Sequence, residues 1–356
     1  MPTFSGQLRT NEIFSALYNL IISQQVFADN LGSHQTLVDK ARVDGGLFGD
    51  TKLYYATDAL KSVAWGNDAE AANLLALHRP DAPECQAIHL DQFRQISLTV
   101  DNYLSKRAWS TEGAFSEFNG VMLGWMGETK KVYDGTLYNA FIGTSTSSEV
   151  TQNISVDVTT ATTGLTGIEA DKVEAMVIAQ ALANLFVGMG DYSRDFNDYG
   201  FLRSYSKDGI KVIWNSTIVN KIRKIDLPTI FHKDGLIDKF EEEILPARYF
   251  GTINAAATAG NGSTIRSLIE QEIGSNHYFA GDLIKTGDTA PAGTSYTVNS
   301  SVICKVLVKL PPYMSAFEVG TSFFNPKSLT ENHYLTFGHN TLEYLKNYPM
   351  ITVSKI

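Results

Sequence analysis

The longest hydrophobic pattern in the chain spans residues 111–142 and predicts one long helix. Apolar residues recur at steps of three and four, which places them along one face of a helix. Ser110 or Thr111 can cap its start and Gly143 can end it in a left-handed turn. We expect a bend or an end near Asp134-Gly135, because glycine weakens a helix. The apolar positions are Phe115, Phe118, Met122, Trp125, Met126, Val132, Tyr133, Leu137, Tyr138 and Phe141.

Before this helix, apolar and polar residues alternate in the way that is typical of strands. Residues 52–56 and 86–100 are the clearest strands, and residues 61–65 are a shorter one. These strands flank a polar, alanine-rich stretch, residues 66–84. A tip of that length without a core of its own is rare unless it binds something, so we predict a projecting hairpin.

After the long helix, a second helix is predicted from residue 168 to residue 187. Acidic residues occupy its first turn and Gly188 follows its end, as the helix dipole and capping rules favour. Residues 1–45 are predicted to form an arm with helical pieces. Long helices combined with antiparallel strands predict an α+β fold. The other predicted elements are strands at 154–158, 210–214, 248–253 and 300–310, helices at 218–225 and 264–272, and short closing strands at 315–319, 333–337, 343–345 and 350–353.

Composition narrows the function. Only 19% of the 356 residues are charged and 11% are aromatic, which is what extensive protein–protein contact would leave. The net charge of −9 argues against a broad nucleic-acid-binding surface, because phosphate contacts need Lys and Arg. The two cysteines, Cys85 and Cys304, predict a reducing compartment rather than a disulfide framework. We find no signal peptide and no window with the ~20 apolar residues of a membrane span, and expect no membrane partner.

Motifs for catalysis and cofactor binding are missing. The chain has no phosphate-binding loop, no dinucleotide-binding glycine pattern and no nucleophile elbow. Residues 191–197 carry oxygen ligands at calcium-loop spacing, but Phe196 replaces the required glycine and Leu202 replaces the final glutamate. The seven histidines fit no metal-ligand spacing. We therefore predict no enzyme activity, no cofactor and no metal, and favour a binding or structural role.

The order of an arm, a projecting hairpin, a long helix, a second lobe and returning strands resembles the major capsid protein of tailed bacteriophages, the Johnson fold. Residues 95–104, QISLTVDNYL, followed by Ala108-Trp109, look like the strand that leads into the spine helix of small podovirus capsid proteins. Residues 203–226 are similar to the axial-domain strand and helix of that group. Residues 318–353 look like the closing strands of its peripheral domain.

The resemblance implies four regions. These are an N-terminal arm at 1–48, an extended hairpin loop with flanking strands at 49–100, a peripheral domain with the spine helix at 101–145 and 316–356, and an axial domain at 146–315. We expect neither an added immunoglobulin-like domain nor a charged N-terminal coiled coil.

The implied function is a shell subunit that self-assembles into hexamers and pentamers of an icosahedral or prolate phage head. That head would enclose double-stranded DNA, contacted non-specifically at the inner wall. A portal protein, and scaffolding or decoration proteins, are the other implied partners. The implied localisation is the virion capsid, assembled in the host cytoplasm.

For single residues, we predict that Trp65, Arg79 and Asp81 on the hairpin contact a neighbouring subunit, with plain solvation as the alternative. Trp125 and Phe118 are expected to pack into the core. Two other functions stay open. One is an encapsulin-like shell that encloses a cargo enzyme. The other is a hydrolase or sugar-binding protein with an aromatic-lined cleft.

Overall fold

The computed structural model describes residues 36–45, 51–62, 77, 79–101, 112–143, 151–223, 241–255, 270–273, 276–279, 294–298 and 301–356. The chain divides into two compact units. Unit 1 comprises Met1–Asp50, His89–Tyr138 and Tyr313–Thr341. Unit 2 comprises Thr51–Ile88, Asn139–Pro312 and Leu342–Ile356.

The described helices and the mainly antiparallel strands together make an α+β fold. The helices are α1 (Thr36–Ala41), α2 (Glu112–Gly143), α3 (Val158–Ala161), α4 (Ile168–Gly190) and α5 (Ser216–Arg223). The strands are β1 (Arg42–Asp44), β2 (Lys52–Ala56), β3 (Glu84–Ile88), β4 (Leu90–Asp101), β5 (Gln152–Val156), β6 (Lys211–Asn215), β7 (Glu241–Leu245), β8 (Gly251–Ala255), β9 (Glu270–Ile273), β10 (Asn276–Phe279), β11 (Thr294–Val298), β12 (Val302–Leu307), β13 (Tyr313–Asn325), β14 (Thr330–Asn340) and β15 (Met350–Lys355).

The long helix α2 confirms the strongest sequence pattern, with its ends within one residue of the prediction. The helix end expected near Asp134-Gly135 is wrong, since the helix runs unbroken to Gly143, and the bend expected there stays a prediction. Burial of Asp134 against the sheet of unit 1 holds this part of the helix in place. Trp125 is about one-third exposed (36%), contrary to the expected core packing, and the side chain of Phe118 lies outside the described residues.

Unit 1 is built on a four-stranded sheet with the order β1-β13-β14-β4. β1 runs parallel to β13, and the other neighbours are antiparallel. Along β4 the odd-numbered residues from 91 to 99 are exposed, as the two-residue period of a half-covered strand requires. Residues of α2 cover the other face, where Tyr133 meets the buried ring of Phe337 edge to face at 5.4 Å.

Unit 2 is built on a five-stranded sheet with the order β5-β15-β12-β6-β7. Every residue of the central strand β12 is buried, so the predicted buried strand is confirmed. α4 packs on one face of this sheet through its apolar side, in one cluster with the strands. That side consists of Ala175, Ile178, Leu182, Leu185, Phe186 and Met189.

The helix α4 differs from the sequence-based expectation about membrane spans. By length and composition it is apolar enough to cross a membrane, although no such window was expected. Its buried face, however, belongs to the core of unit 2. Buried Glu174 on this helix binds Lys221 of α5 at 2.5 Å and Lys355 of β15 at 3.2 Å. These ion pairs tie the helix to its neighbours within the unit.

The closing strands differ from the prediction. Residues 315–319 and 333–337 are parts of one long hairpin, because pairing continues outward to Asn325 and Thr330. Residues 343–345 form no strand. There, the amide of Lys346 donates to the side chain of Gln86 at 3.0 Å, and the amide of Tyr348 closes a turn on Leu345 at 2.8 Å.

Four further elements differ at their bounds. The strand expected at 154–158 ends at Val156, because Asp157 caps α3 by accepting the amide of Thr160 at 2.9 Å. The strand expected at 248–253 begins only at Gly251, after a 3-10 turn at Ala247–Tyr249. Residues 270–272 lie in β9 rather than in a helix, and the rest of that predicted helix falls outside the described residues. Of the strand expected at 61–65, only residues 61 and 62 are described, and these two residues do not pair in a β-sheet.

Candidate assembly surfaces

The predicted hairpin is present as an antiparallel ribbon of β2 and β3 in unit 2, with Lys52 opposite Ile88 and Ala56 opposite Glu84. Its two faces differ. Gln86 and Ile88 on one face are buried. On the other face Leu53 and Tyr55 are 50% and 64% exposed, opposite exposed Ala87 and Cys85. We call this second side the apolar ribbon face, and Leu60 and Leu77 beyond the strands are exposed as well.

Gln86 attaches the inner face of the ribbon to the chain after Leu342. Its side-chain amide donates to the carbonyl of Tyr344 at 3.0 Å. Its side-chain oxygen accepts the amide of Lys346 at 3.0 Å. One buried side chain therefore replaces two backbone hydrogen bonds of a strand pair, which keeps β3 in place without a continuous ladder.

Asp58 anchors the base of the ribbon to the loop that follows α4. It accepts the backbone amide of Leu202 at 2.9 Å and binds the Arg194 guanidinium at 2.6 Å. The hydrogen bond from Leu202 and then that from Arg194 lower the pKa of Asp58 to about 2. Arg203 adds a bond to the carbonyl of Thr57 at 2.8 Å. These contacts thus fix the base of the ribbon within unit 2.

A lysine between two aromatic rings supports the same anchor. The ammonium of Lys309 lies 5.5 Å from the ring centre of Tyr54 and 5.3 Å from that of Tyr348. Burial raises the pKa of the Tyr54 hydroxyl. Attraction between the cation and both rings fixes the inner face of β2 and leaves Tyr55, the next residue, turned outward.

The predicted contact residues are only partly placed. Arg79 and Asp81 are exposed beside the ribbon, and Asp81 lies 3.4 Å from the ammonium of Lys61. Trp65 lies outside the described residues. Contact of these three residues with a neighbouring subunit stays a prediction.

Sequence analysis missed the apolar ribbon face. Leu53 and Tyr55 were assigned to a strand but not to a surface. The available signal was that β2, KLYYA, has apolar residues on both sides, whereas a half-covered strand normally alternates. Two apolar sides of a ribbon favour two partners, and among the described residues of unit 2 a partner is seen at the inner face.

The exposed side of α4 carries charge only near its start, at Glu169 and Lys172. Ile168, Met176 and Val187 are exposed along it. From Ala175 to Gly190 the helix has no charged residue. A long exposed helix face in water normally carries charged side chains, so this face is a second candidate contact surface.

The outer half of the β13–β14 hairpin in unit 1 carries a third set of exposed apolar side chains, Val319, Phe323, Phe324 and Leu329, of which Phe323 and Phe324 lie on opposite faces. A groove of about 450 Å³ opens between this hairpin and α2. Its described lining contains one carboxylate, Glu318, which binds Lys130 at 2.8 Å. General acid–base hydrolysis of sugars needs two carboxylates, so this groove does not favour the hydrolase alternative.

The oxygen-bearing side chains at calcium-loop spacing, in residues 191–197, form hydrogen bonds within their own loop. Ser193 donates to Asp195 at 2.9 Å, and Asn197 is bonded in both directions to the backbone of Phe201. These oxygens therefore stabilise the loop that holds Asp58. In the described part of the chain, no three His, Cys, Asp or Glu side chains form a metal-binding group. Cys85 is exposed and Cys304 is buried, and both are free thiols.

No protein-family profile matches the chain, and no curated protein is significantly similar to it in sequence. Solved structures are similar in fold. A chain in the capsid structure of Staphylococcus phage Andhra matches with a TM-score of 0.55 at 10% identity, over 92% of this chain and 84% of that one. A chain in the structure of the head fiber and inner core protein gp22 of native bacteriophage P68 matches with a TM-score of 0.55 at 10% identity, over 90% and 83%.

These similarities confirm the predicted fold class, an α+β fold of the kind found in tailed-phage capsid structures. Because the identity is 10%, the agreement is one of architecture rather than of sequence. The closer resemblance to small podovirus capsid proteins stays a prediction.

Proposed function

We propose that the chain is a major capsid protein that self-assembles into hexamers and pentamers of an icosahedral or prolate phage head. The head encloses double-stranded DNA, which its inner wall contacts non-specifically. It is a virion component assembled in the host cytoplasm, with a portal protein and scaffolding or decoration proteins as further partners. The fold of the matched capsid chain supports this proposal.

The observation that carries the proposal is the two-sided ribbon of β2 and β3. Its base is held by Asp58 and Gln86, whereas its apolar ribbon face is open to solvent. A segment that is rigidly anchored and apolar on its free side gains stability when another surface covers that side. Identical subunits arranged in closed rings provide such a surface on every neighbour.

The regions named from the sequence belong to this proposal. They are an arm at 1–48, an extended loop at 49–100, a peripheral domain at 101–145 and 316–356, and an axial domain at 146–315. The end of the second peripheral segment, 316–356, contains β15, which pairs with β12 in the sheet of unit 2.

Negative-stain microscopy and sedimentation velocity on the purified chain test the proposal. We expect shells, sheets or capsomers. The double variant Leu53→Ser/Tyr55→Ser should stay folded by circular dichroism but lose shells. Since half to two-thirds of each side chain is exposed, each serine should remove about 1 kcal/mol of burial at an interface. Leu165→Ser, the same polarity change at an exposed turn of unit 2, is the matched control and should assemble as the parent chain does.

The outcomes separate the alternatives. A compact monomer under all assembly conditions would overturn the capsid function. Normal shells from Leu53→Ser/Tyr55→Ser would leave that function standing and exclude the ribbon as the contact. Particles that co-purify with an enzyme and without DNA would indicate the encapsulin-like shell instead.

A further inference from the structure

The edge of β13 in unit 1 is covered over only three residues. β1 pairs there in parallel, with Arg42 beside Tyr313 and Asp44 beside Ser315. The remainder of β13 has no further partner on that side among the described strands. β1 therefore contributes few ladder hydrogen bonds, and other contacts must decide which segment of chain occupies this edge.

A buried carboxylate lies next to this edge. Asp134 of α2 is 1% exposed and accepts the hydroxyl of Tyr313 at 2.6 Å. Burial raises its pKa, against the lowering effects of that hydrogen bond and of Lys130, Arg42 and His339. A carboxylate in such surroundings needs a cation to remain ionised.

Arg42 of β1 provides that cation. Its guanidinium is 3.5 Å from the second oxygen of Asp134, while a third of its side chain remains exposed. The other cationic groups around Asp134 have partners of their own. Lys130 binds Glu318 at 2.8 Å, and the two ring nitrogens of His339 lie at hydrogen-bond distance from Tyr133 and from the carbonyl of Asn340. In the described part of the chain, Arg42 is the residue whose charge reaches Asp134 within ion-pair distance.

Two further features restrict which residues can stand before and after Arg42. Before it, Leu37, Val38 and Ala41 are buried. After it, Gly45 lies so close to β13 that a Cβ would be 2.7 Å from Cγ of Met314 and 2.8 Å from Cβ of Ala316. Met314 is fully buried and Ala316 has no torsion to move, so a larger residue does not fit.

We propose that the β13 edge beside Asp134 is a peptide-binding site for a segment with a short apolar helix, an arginine in the extended stretch that follows it and a glycine three residues after that arginine. Residues 36–45 fill the site from within the same chain. The site therefore discriminates between segments by charge and size, and it accepts a separate peptide of the same pattern once the resident segment is weakened. This property belongs to the single subunit and does not depend on shell formation.

The probe is a fluorescein-labelled peptide of residues 36–46, TLVDKARVDGG, measured by anisotropy against the full-length chain below its assembly concentration. The Arg42→Gln chain should bind it saturably, whereas the parent chain should bind at least about tenfold more weakly because its own segment competes. In the Arg42→Gln chain, adding Asp134→Asn should weaken binding by at least about tenfold, since the charged pair is lost.

Peptide variants provide the matched controls. Arg42→Gln or Gly45→Ala in the peptide should each reduce binding by at least about tenfold. Asp39 approaches the same guanidinium nitrogen of Arg42 as Asp134 does, but its carboxylate is exposed. Because an exposed ion pair contributes little, Asp39→Asn should leave binding within about twofold. Equal binding of the parent and Arg42→Gln peptides, or no binding to a folded Arg42→Gln chain, overturns the proposal.

A second measurement covers the case in which the Arg42→Gln chain does not fold. In the single variant Asp134→Asn, exchange of the β1 amides that bond to β13 should accelerate while the β14–β4 ladder keeps its protection. Unchanged exchange in β1 contradicts a charge-selected site. A subunit that fails to form shells but shows these binding and exchange results would contradict the proposed function alone.

Discussion

Lys305 lies on the central strand β12 with its whole side chain buried. Its ammonium donates to the hydroxyl of Thr352 on β15 at 2.7 Å. Burial lowers its pKa from 10.5 to about 7, against a small opposing effect of Cys304. At neutral pH the amine is therefore close to its titration midpoint in the folded chain and fully protonated in the unfolded chain.

This difference sets a direction for stability against pH. Between about pH 7 and pH 10.5 the unfolded chain binds a proton at Lys305 that the folded chain lacks, so the free energy of unfolding rises with pH. The contribution reaches at most ~1.4 kcal/mol per pH unit. Lys305→Met should remove this part of the slope in urea unfolding at pH 7, 8 and 9, and exposed Lys346→Met should keep it. Equal slopes for the parent and Lys305→Met would contradict a buried titrating amine.

Asp58 gives a second prediction at the level of one side chain. Its lowered pKa means that the carboxylate remains ionised, and the ribbon anchored, down to acidic pH. The anchor should be complete above about pH 4 and be lost as pH falls towards about 2. At pH 7, Asp58→Asn should accelerate amide exchange in β2 and β3 by at least about tenfold, since Leu202 and Arg194 lose a charged acceptor. Asp81→Asn, which breaks only an exposed pair, should leave that exchange unchanged.

At the scale of elements, two glycines of α2 have opposite roles. Gly124 is exposed and an added Cβ would meet no atom within 4 Å. Gly143 lies against the carbonyl oxygen of Tyr249, and a Cβ there would overlap it. Gly124→Ala should therefore stabilise the chain by up to ~1 kcal/mol, through helix propensity alone.

The matched change Gly143→Ala should destabilise the chain by about 1–3 kcal/mol, because fully buried Phe250 next to Tyr249 limits any shift of that backbone. Urea unfolding of both variants measures the difference. The same sign of change for both variants would mean that close approach at Gly143 has no energetic role.

The predictability of the elements follows from where their hydrogen bonds and partners lie. α2 could be predicted because its i, i+4 bonds and its apolar stripe are local. The length of β13 and β14 could not, since the residues Thr321–Asn325 are polar or exposed and are paired only through their partner strand. Residues 343–345 looked like a strand, but their neighbours bond to Gln86, which lies about 260 positions away in sequence.

The β2–β3 ribbon could likewise be predicted only in part, because its contacts join residues that are distant in sequence. The predicted strand 86–100 is two strands, and only its first residues, in β3, pair with β2 in the hairpin, whereas β4 pairs with β14 in unit 1. The orientation of the ribbon could not be predicted, because Tyr54 and Tyr55 are equally apolar and the choice between them is made by Lys309 and Tyr348. Asp58 gives no sequence signal at all, since its partners Arg194 and Leu202 come together only in the folded unit.

At the scale of the whole molecule, charge would oppose the proposed assembly and exposed apolar surface would favour it. Every subunit carries a net charge of −9, so two subunits repel each other at long range. The three exposed apolar surfaces act only at contact. Raising ionic strength from ~0.01 M to ~0.15 M shortens the Debye length from ~30 Å to ~8 Å, which removes most of the repulsion and leaves the contacts intact.

We therefore predict that the lag before light scattering rises shortens as sodium chloride increases over this range at fixed protein concentration. The Leu53→Ser/Tyr55→Ser variant should remain unassembled at each salt concentration, because screening cannot replace the lost apolar contact. A lag that lengthens with salt would mean that attraction between opposite charges drives association. In that case the exposed pair of Lys61 and Asp81, rather than Leu53 and Tyr55, would be the part of the ribbon to examine first.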